Sequence, residues 1–385
     1  MRISRAALGL LLAAASCHSS SPATPVVPAN AGPEVDAALS FDWSALDQEE
    51  FGGSWATEGL VVMQGGHLVY ERYGAGWTAS MPHILYSASK SVGSALIGIA
   101  EAQGLLKRTD GICTYLTPPA GADPTLCTTT IADLLHMGSG LAWLEDYSTS
   151  GDPTTSNVLQ MLYGDQQDMG SYTAAQPRAS DAGAVFNYSS GDADLLGLVF
   201  KGALKGQDAR AWAKTNLFDP AGITSEVFET DGSGTLVFSS WCFMTPRDFA
   251  LFGELFLDDG VVGGNRVLPE GWVDYSRAPA PSVSTPASRV LEAGAGPGGS
   301  YGAMWWLNAA APGATADTWE YPGEPADGFN AEGHYGQELA VIPSRQLVIA
   351  RMGNDRDPGF DPNGMMAAAV AAVDAALSAG KKGDQ

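Results

Sequence analysis

Strand-forming segments stand at both ends of this 385-residue chain with a helical stretch between them, and this limits the fold more than any other feature. Near the start, Leu60–Met63 and Leu68–Tyr73 are joined by Gln64-Gly65-Gly66-His67, a hairpin signal. Far along the chain Tyr301–Leu307, Glu338–Ile342 and Gln346–Met352 are again strand-like, the last two joined by Pro343-Ser344-Arg345. Helical patterns lie between them. The strongest runs from Ser87 to Gln103, with Val92, Leu96 and Ile99 on one face and Gly104 as its stop. Its small residues Gly93, Ser94, Ala95 and Gly98 imply very close packing. Thr129–Met137, Asp192–Leu204 and a helix from Thr245-Pro246 to about Leu257 follow. Strands drawn from both ends imply one sheet closed by distant segments, with the middle, about residues 106–235, inserted as a mostly helical second lobe. The last helix, Met365–Leu377, contains Asp374 and is too short for a membrane span, so it is expected to cover the sheet.

Composition narrows the partners. Asp and Glu number 43 against 20 Lys and Arg, a net charge of −23, and seven of the cations are lysines. Phosphate surfaces need clustered cations, so nucleic acid and an anionic membrane surface are poor partners. A hydrophobic share of 45 % excludes a wholly disordered chain. At the N-terminus Arg2 and Arg5 precede an apolar run, Ala6–Ala15, that is shorter than a bilayer span. Leu12-Ala13-Ala14-Ala15-Ser16-Cys17 resembles a bacterial lipoprotein signal, which makes residues 1–17 a signal segment and Cys17 the lipidated residue. Ala14 departs from the usual leucine, and an ordinary secretory signal is the alternative. Both imply export, with any membrane contact made through that lipid. Residues 18–40, rich in Ser, Pro and Ala, read as a flexible tether before a domain at 41–380. Export permits a disulfide between Cys113 and Cys127, which flank Thr117-Pro118-Pro119-Ala120-Gly121; two free buried thiols are the other reading. Cys242, between Trp241 and Phe243, reads as core.

The segment richest in chemistry is Tyr86-Ser87-Ala88-Ser89-Lys90-Ser91-Val92 at the start of the strongest helix. Ser87 and Lys90 are three apart and share a helical face. Serine is a weak nucleophile without a base beside it. A buried lysine, losing its proton more readily through desolvation, is such a base. The helix N-terminus adds positive potential where an oxyanion would develop.

Four further segments in order carry a family resemblance. They are Ile131-Ala132-Asp133-Leu134-Leu135-His136-Met137-Gly138-Ser139-Gly140-Leu141, Phe186-Asn187-Tyr188-Ser189-Ser190-Gly191-Asp192, Tyr301-Gly302-Ala303-Met304-Trp305-Trp306 and His334-Tyr335-Gly336-Gln337. With Ser87-x-x-Lys90 the chain resembles the penicillin-recognising serine hydrolases, which include class C β-lactamases, DD-peptidases, esterases and 6-aminohexanoate-oligomer hydrolases. The resemblance implies a β-lactamase/transpeptidase-like α/β fold. An antiparallel sheet from about 41–85 and 295–355 would be flanked by helices, with the site between sheet and helical lobe. It further implies Ser87 as the acylated nucleophile, Lys90 as its proton partner and Tyr188 as the relay to the leaving group and then to water. The backbone N–H groups of Ser87 and Gln337 would form the oxyanion hole. His334, Tyr335, Gly336, Ser190, Trp143, Tyr147 and Trp306 would bind substrate. No metal and no cofactor are implied.

Two departures bear on substrate. His334 stands where β-lactamases have the Lys of Lys-Thr-Gly, and a largely neutral imidazole recognises a β-lactam carboxylate poorly. Ser190 stands where many β-lactamases have asparagine. Both fit the esterase and aminohexanoate-hydrolase branch, as does Trp143-Leu144-Glu145-Asp146-Tyr147. The expectation is a hydrolase of a small ester, linear amide or peptide. A β-lactamase or DD-peptidase is the first alternative and a non-catalytic surface binding protein the second. Each residue also has a plainer reading: a surface lysine at 90, a core tyrosine at 188, a strand-end hydrogen bonder at His334, and core aromatics at Trp143, Tyr147 and Trp306. Gly298-Gly299-Ser300-Tyr301-Gly302 mimics a nucleophile elbow but follows a Gly/Pro loop, and the five scattered histidines have no zinc spacing.

Overall fold

The computed structural model describes residues 39–147, 154–164, 167–283, 289–290, 300–309, 320–356 and 359–383. Cys17 and residues 18–38 of the expected tether lie outside the described residues.

Helix α1, Ser44–Phe51, precedes the hairpin of β1, Thr57–Gln64, and β2, His67–Tyr73. Helices α2, Ser89–Ala102, α3, Ser190–Ala203, and α4, Pro246–Leu257, occupy the middle. Five strands follow: β3 Ser300–Tyr301, β4 Trp306–Leu307, β5 Phe329–Gly333, β6 Gln337–Ile342 and β7 Leu347–Gly353. Helix α5, Asn363–Gly383, ends the described chain. Among the described residues the main sheet is antiparallel and runs β3-β4-β5-β6-β7-β1-β2. The N-terminal hairpin therefore joins the C-terminal strands through β1 and β7, where Val61 faces Ala350 and Val62 faces Ile349.

Period-two alternation divides the side chains of these strands between two cores. Leu60, Val62, Ala340, Ile342, Leu347 and Ile349 pack with Met365, Met366, Ala369 and Val373 of α5 and Leu46 of α1. α5 is long and apolar enough to cross a membrane, yet that face lies against the sheet. Val61, Met63, Leu339, Val341, Val348 and Ala350 point the other way, into the core shared with α2, α3 and α4. Close approach is built in on this side. A Cβ on Gly98 would lie 2.5 Å from the Trp272 ring, and one on Gly253 2.5 Å from Val348.

The structure redraws several boundaries. Ser87 lies in a 3-10 turn, Tyr86–Ala88, and α2 starts only at Ser89. Tyr301–Leu307 is not one strand but a tight hairpin; Met304 takes φ +64 and Gly302 N donates to Trp305 O. β5 and α1 had no clear signal in the sequence. The interval 106–235 holds short helices such as Ile131–Leu135, Met169–Ala174 and Ala209–Ala213 besides α3. Cys113 and Cys127 are bonded, with Cα atoms 5.1 Å apart, and Cys242 is a buried free thiol.

Candidate active site

The turn that carries Ser87 is held from both sides. His83–Ile84 pairs with Phe243–Met244, and Leu85 N donates to Cys242 O at 2.8 Å. From the main sheet Gly333 comes so near that a Cβ there would lie 2.1 Å from Leu85 O. Only glycine permits that approach. Tyr86 takes φ +46, a conformation non-glycine residues seldom adopt, and the surrounding contacts hold it there.

Lys90, in the first turn of α2 and 2 % exposed, reaches back under Ser87. Its Nζ donates to Ser87 Oγ at 2.9 Å, to Ser190 Oγ at 3.1 Å and to the Ser239 carbonyl at 3.0 Å. Those three oxygens match the three protons of an ammonium, and the same geometry lets a neutral amine accept from Ser87. Tyr188 sits directly before α3, with its ring centroid 4.9 Å from Lys90 Nζ. The ring is stacked on Trp306 at 5.2 Å, which fixes its plane.

Ser189 caps α3 by accepting from Asp192 N, which sets Ser190 in the first turn facing Lys90. Ser190 is oriented by Glu145, which accepts from both its Oγ (2.5 Å) and its N (2.9 Å). Glu145 also accepts from Trp143 Nε1 at 2.5 Å and from Tyr147 OH at 2.8 Å. One buried carboxylate thus gathers the polar ends of three residues expected to touch substrate. Trp143 itself lies in a core cluster with Val158 and Met161, its ring where a Cβ on Gly191 would be, so it supports the site from behind. Tyr147 reaches the rim, its ring 5.0 Å from that of His334. His334 also contacts Tyr335 at 4.0 Å and Tyr86 at 6.0 Å. Burial, helped by the nearby Arg356, holds the His334 imidazole below its usual range, and therefore neutral at pH 7.

Gly336 and Gln337 sit at the far end of the same turn. Gly336 takes φ +82 with its carbonyl bonded to Arg351, and the Gln337 amide exchanges hydrogen bonds with the Gly353 backbone. The Gln337 side chain is structural, and the backbone of Gly333 packs closely on the Ser87 turn at Leu85 O. The structure thus gathers Ser87, Lys90, Tyr188 and Ser190 in one cluster, with Tyr147, His334 and Trp306 around it. His136, pushed down to about 4 by burial, packs on Tyr275 away from it.

Two contributors had no signal in the sequence. The Ser239 carbonyl is backbone, which any residue supplies. Asp194 accepts from Ser239 N at 2.9 Å and so anchors the peptide that holds Lys90. Glu145 stands between Trp143 and Tyr147, and nothing in its spacing marks it as the carboxylate that both of them bond.

Burial pushes Asp192 and Asp194 up to about 7, Glu332 to about 7, and Glu254 and Glu324 to about 8. It pushes His83 and His136 down to about 4. At pH 6.5 the unfolded imidazoles are half protonated and by about pH 8 they are neutral, so the buried histidines oppose the trend only at the low end of the window and the five carboxyls outweigh them. The folded chain then keeps protons that the unfolded chain has released, and stability falls as pH rises, by about 1.4 kcal/mol per pH unit for each proton retained. The urea midpoint is expected to be lower at pH 8.5 than at pH 6.5. The slope should flatten in Asp192→Asn, which can still accept from Ser139 N. A midpoint that rises across this window contradicts the assignment.

Residues 50–373 match the Beta-lactamase family. The chain belongs to that family, a family of serine hydrolases with amide- and ester-hydrolase members. A 6-aminohexanoate-dimer hydrolase of Paenarthrobacter ureafaciens is 25 % identical over 367 residues, covering 92 % of this chain and 85 % of that protein. Among solved structures, a family VIII carboxylesterase superposes with a TM-score of 0.65 at 14 % identity, covering 85 % of this chain and 95 % of the other. A penicillin-binding protein homologue from Caulobacter crescentus gives 0.64 at 16 % identity, with the same coverages of 85 % and 95 %.

Proposed function

We propose that this protein hydrolyses a small ester or linear amide through an acyl-enzyme on Ser87. The observation that carries the reading is the buried Lys90 amine 2.9 Å from Ser87 Oγ, beside the Tyr188 ring. Neutral Lys90 takes the Ser87 proton as Oγ attacks the carbonyl carbon. The oxyanion is met by the Ser87 backbone N–H and by backbone of the Gly333–Gln337 turn, where Gln337 N is the expected donor. Tyr188 passes the proton to the departing alcohol or amine, and collapse leaves the acyl group on Ser87. Water then attacks the ester, giving its proton back through the same pair, and the acid leaves as Ser87 is restored.

The neutral His334 supports a substrate without an obligatory carboxylate, which favours esters and linear amides over β-lactams. The relative that acts on 6-aminohexanoate dimer and the carboxylesterase neighbour agree with that preference. We place the protein outside the cytoplasm, with Cys17 as a lipid anchor. The Cys113–Cys127 bridge supports the first part.

The test is a panel of p-nitrophenyl acetate and butyrate, a linear aminohexanoate dimer and nitrocefin, run on the wild type and on Ser87→Ala. Ester or amide turnover is expected in the wild type alone, with a fluorophosphonate adduct found on Ser87 by mass spectrometry. Equal turnover in Ser87→Ala refutes the mechanism, and turnover confined to nitrocefin refutes the substrate class.

A further inference from the structure

A second recess adjoins the His334–Gln337 turn. It is a cavity of about 520 Å³ whose walls include Glu332, Glu338, Trp306, Tyr321, Tyr335 and Phe360. We propose that it binds an organic ammonium ion, a primary amine on a small apolar or aromatic body.

Glu332 on β5 and Glu338 on β6 face each other directly across the strand pair. Like charges in that position destabilise a sheet unless something positive, a proton or a cation, lies with them. Glu338 is 3 % exposed, and its Oε1 has no hydrogen-bond partner. Its other cross-strand neighbour is Arg351 on β7, but that guanidinium is committed elsewhere. It donates to Glu50 Oε2, Thr57 Oγ1, the Gly336 carbonyl and Asp355 Oδ2. Glu332 accepts from Tyr321 OH through Oε1 at 2.7 Å, so its Oε2 remains for a second donor. An ammonium brings three donors and one positive charge, which this pair of carboxyls can take.

The walls choose the kind of cation. Among the described residues no three His, Cys, Asp or Glu side chains are arranged to hold a metal ion. Trp306, Tyr321 and Phe360 instead offer apolar and π surface to the carbon skeleton of an amine. With no ligand present, burial raises both Glu332 and Glu338, and a shared proton takes the place of the cation. The recess and the catalytic cluster share a wall. Trp306 lines the one and stacks on Tyr188 of the other. The binding itself does not depend on the proposed hydrolysis.

Benzylammonium and its neutral counterpart benzyl alcohol are the probes, titrated calorimetrically at pH 7.5 into the full chain, Glu338→Gln and Glu332→Gln. Benzylammonium is expected to bind the wild type at least tenfold more tightly than the alcohol. Each variant should lose that preference by tenfold or more without a fall in unfolding midpoint. Two independent variants are used so that one folding failure leaves the other decisive. Equal binding of the two probes, no binding of either, or an unchanged preference in a folded variant overturns the proposal.

Discussion

Lys90→Met is expected to cut kcat/KM for a p-nitrophenyl ester by about 10²- to 10⁴-fold, the range a positioned proton-transfer group contributes. Methionine has nearly the length and flexibility of lysine and fills the same space beneath Ser87, but it cannot take a proton. The nucleophile would then lose its base with the turn, Tyr188 and Ser190 still in place. Ser190 keeps its bonds to Glu145, and the Ser239 carbonyl loses its donor, at about 1–3 kcal/mol. That cost lies below the stability of an ordinary domain, so the variant should remain folded by circular dichroism. Lys90→Arg separates two roles of the residue. Arginine keeps the charge near the developing oxyanion but stays protonated at any working pH, so it cannot serve as base. Both variants should be inactive if Lys90 accepts the Ser87 proton. Activity in Lys90→Met within tenfold of the wild type would sink the proton-transfer role.

Arg351→Met should cost about 3–5 kcal/mol of stability, read as a fall in the urea midpoint with the slope unchanged. Arg351 is fully buried and ties α1 to the sheet through Glu50 at 2.6 Å. It also bonds Asp355 and Thr57 and stacks on the Phe360 ring at 3.6 Å. Without it, Glu50 and Asp355 remain buried with no compensating charge. The attraction between a buried ion pair and the cost of desolvating it nearly cancel, so the penalty arises from breaking the pair rather than from the pair itself. Replacing Glu50 by Gln in the same chain should accordingly recover part of the loss. An unfolding free energy within about 1 kcal/mol of the wild type in Arg351→Met would show that the network contributes little.

How much of this could be read from the chain depended on where the chemistry is stored. Ser87 and Lys90 lie within one turn of each other, and Tyr188 and Ser190 at the start of one helix. Spacing alone therefore puts Ser87 and Lys90, three apart, on a common face, whereas Tyr188 and Ser190, two apart, are marked only by the resemblance of their segment to the family. The unbroken apolar runs of β1, β6 and β7 are visible in sequence because both their faces are buried in two separate cores. β5 left no such trace. Phe329-Asn-Ala-Glu-Gly333 is poor in strand formers, and pairing with β4 and β6 makes it a strand. The Ser300–Leu307 hairpin lacks an Asn-Gly or Asp-Gly turn and bends instead at Met304, so it read as one strand. The Ser239 carbonyl and the approach of Gly333 are backbone contributions. A residue's type records neither of them.

The place of β1 has a kinetic consequence. It lies between β2, its immediate neighbour in sequence, and β7, nearly 300 residues later, and Glu50 meets Arg351 across 301 positions. High contact order slows folding, because the entropy of closing so long a loop is lost before the paired strands repay it. Until β5–β7 have been made, the edge of β1 that will meet β7 is unpaired and the Ser87 turn lacks the backbone of Gly333. Nascent chains would thus stay inactive and exposed at that edge until nearly all of the protein had emerged.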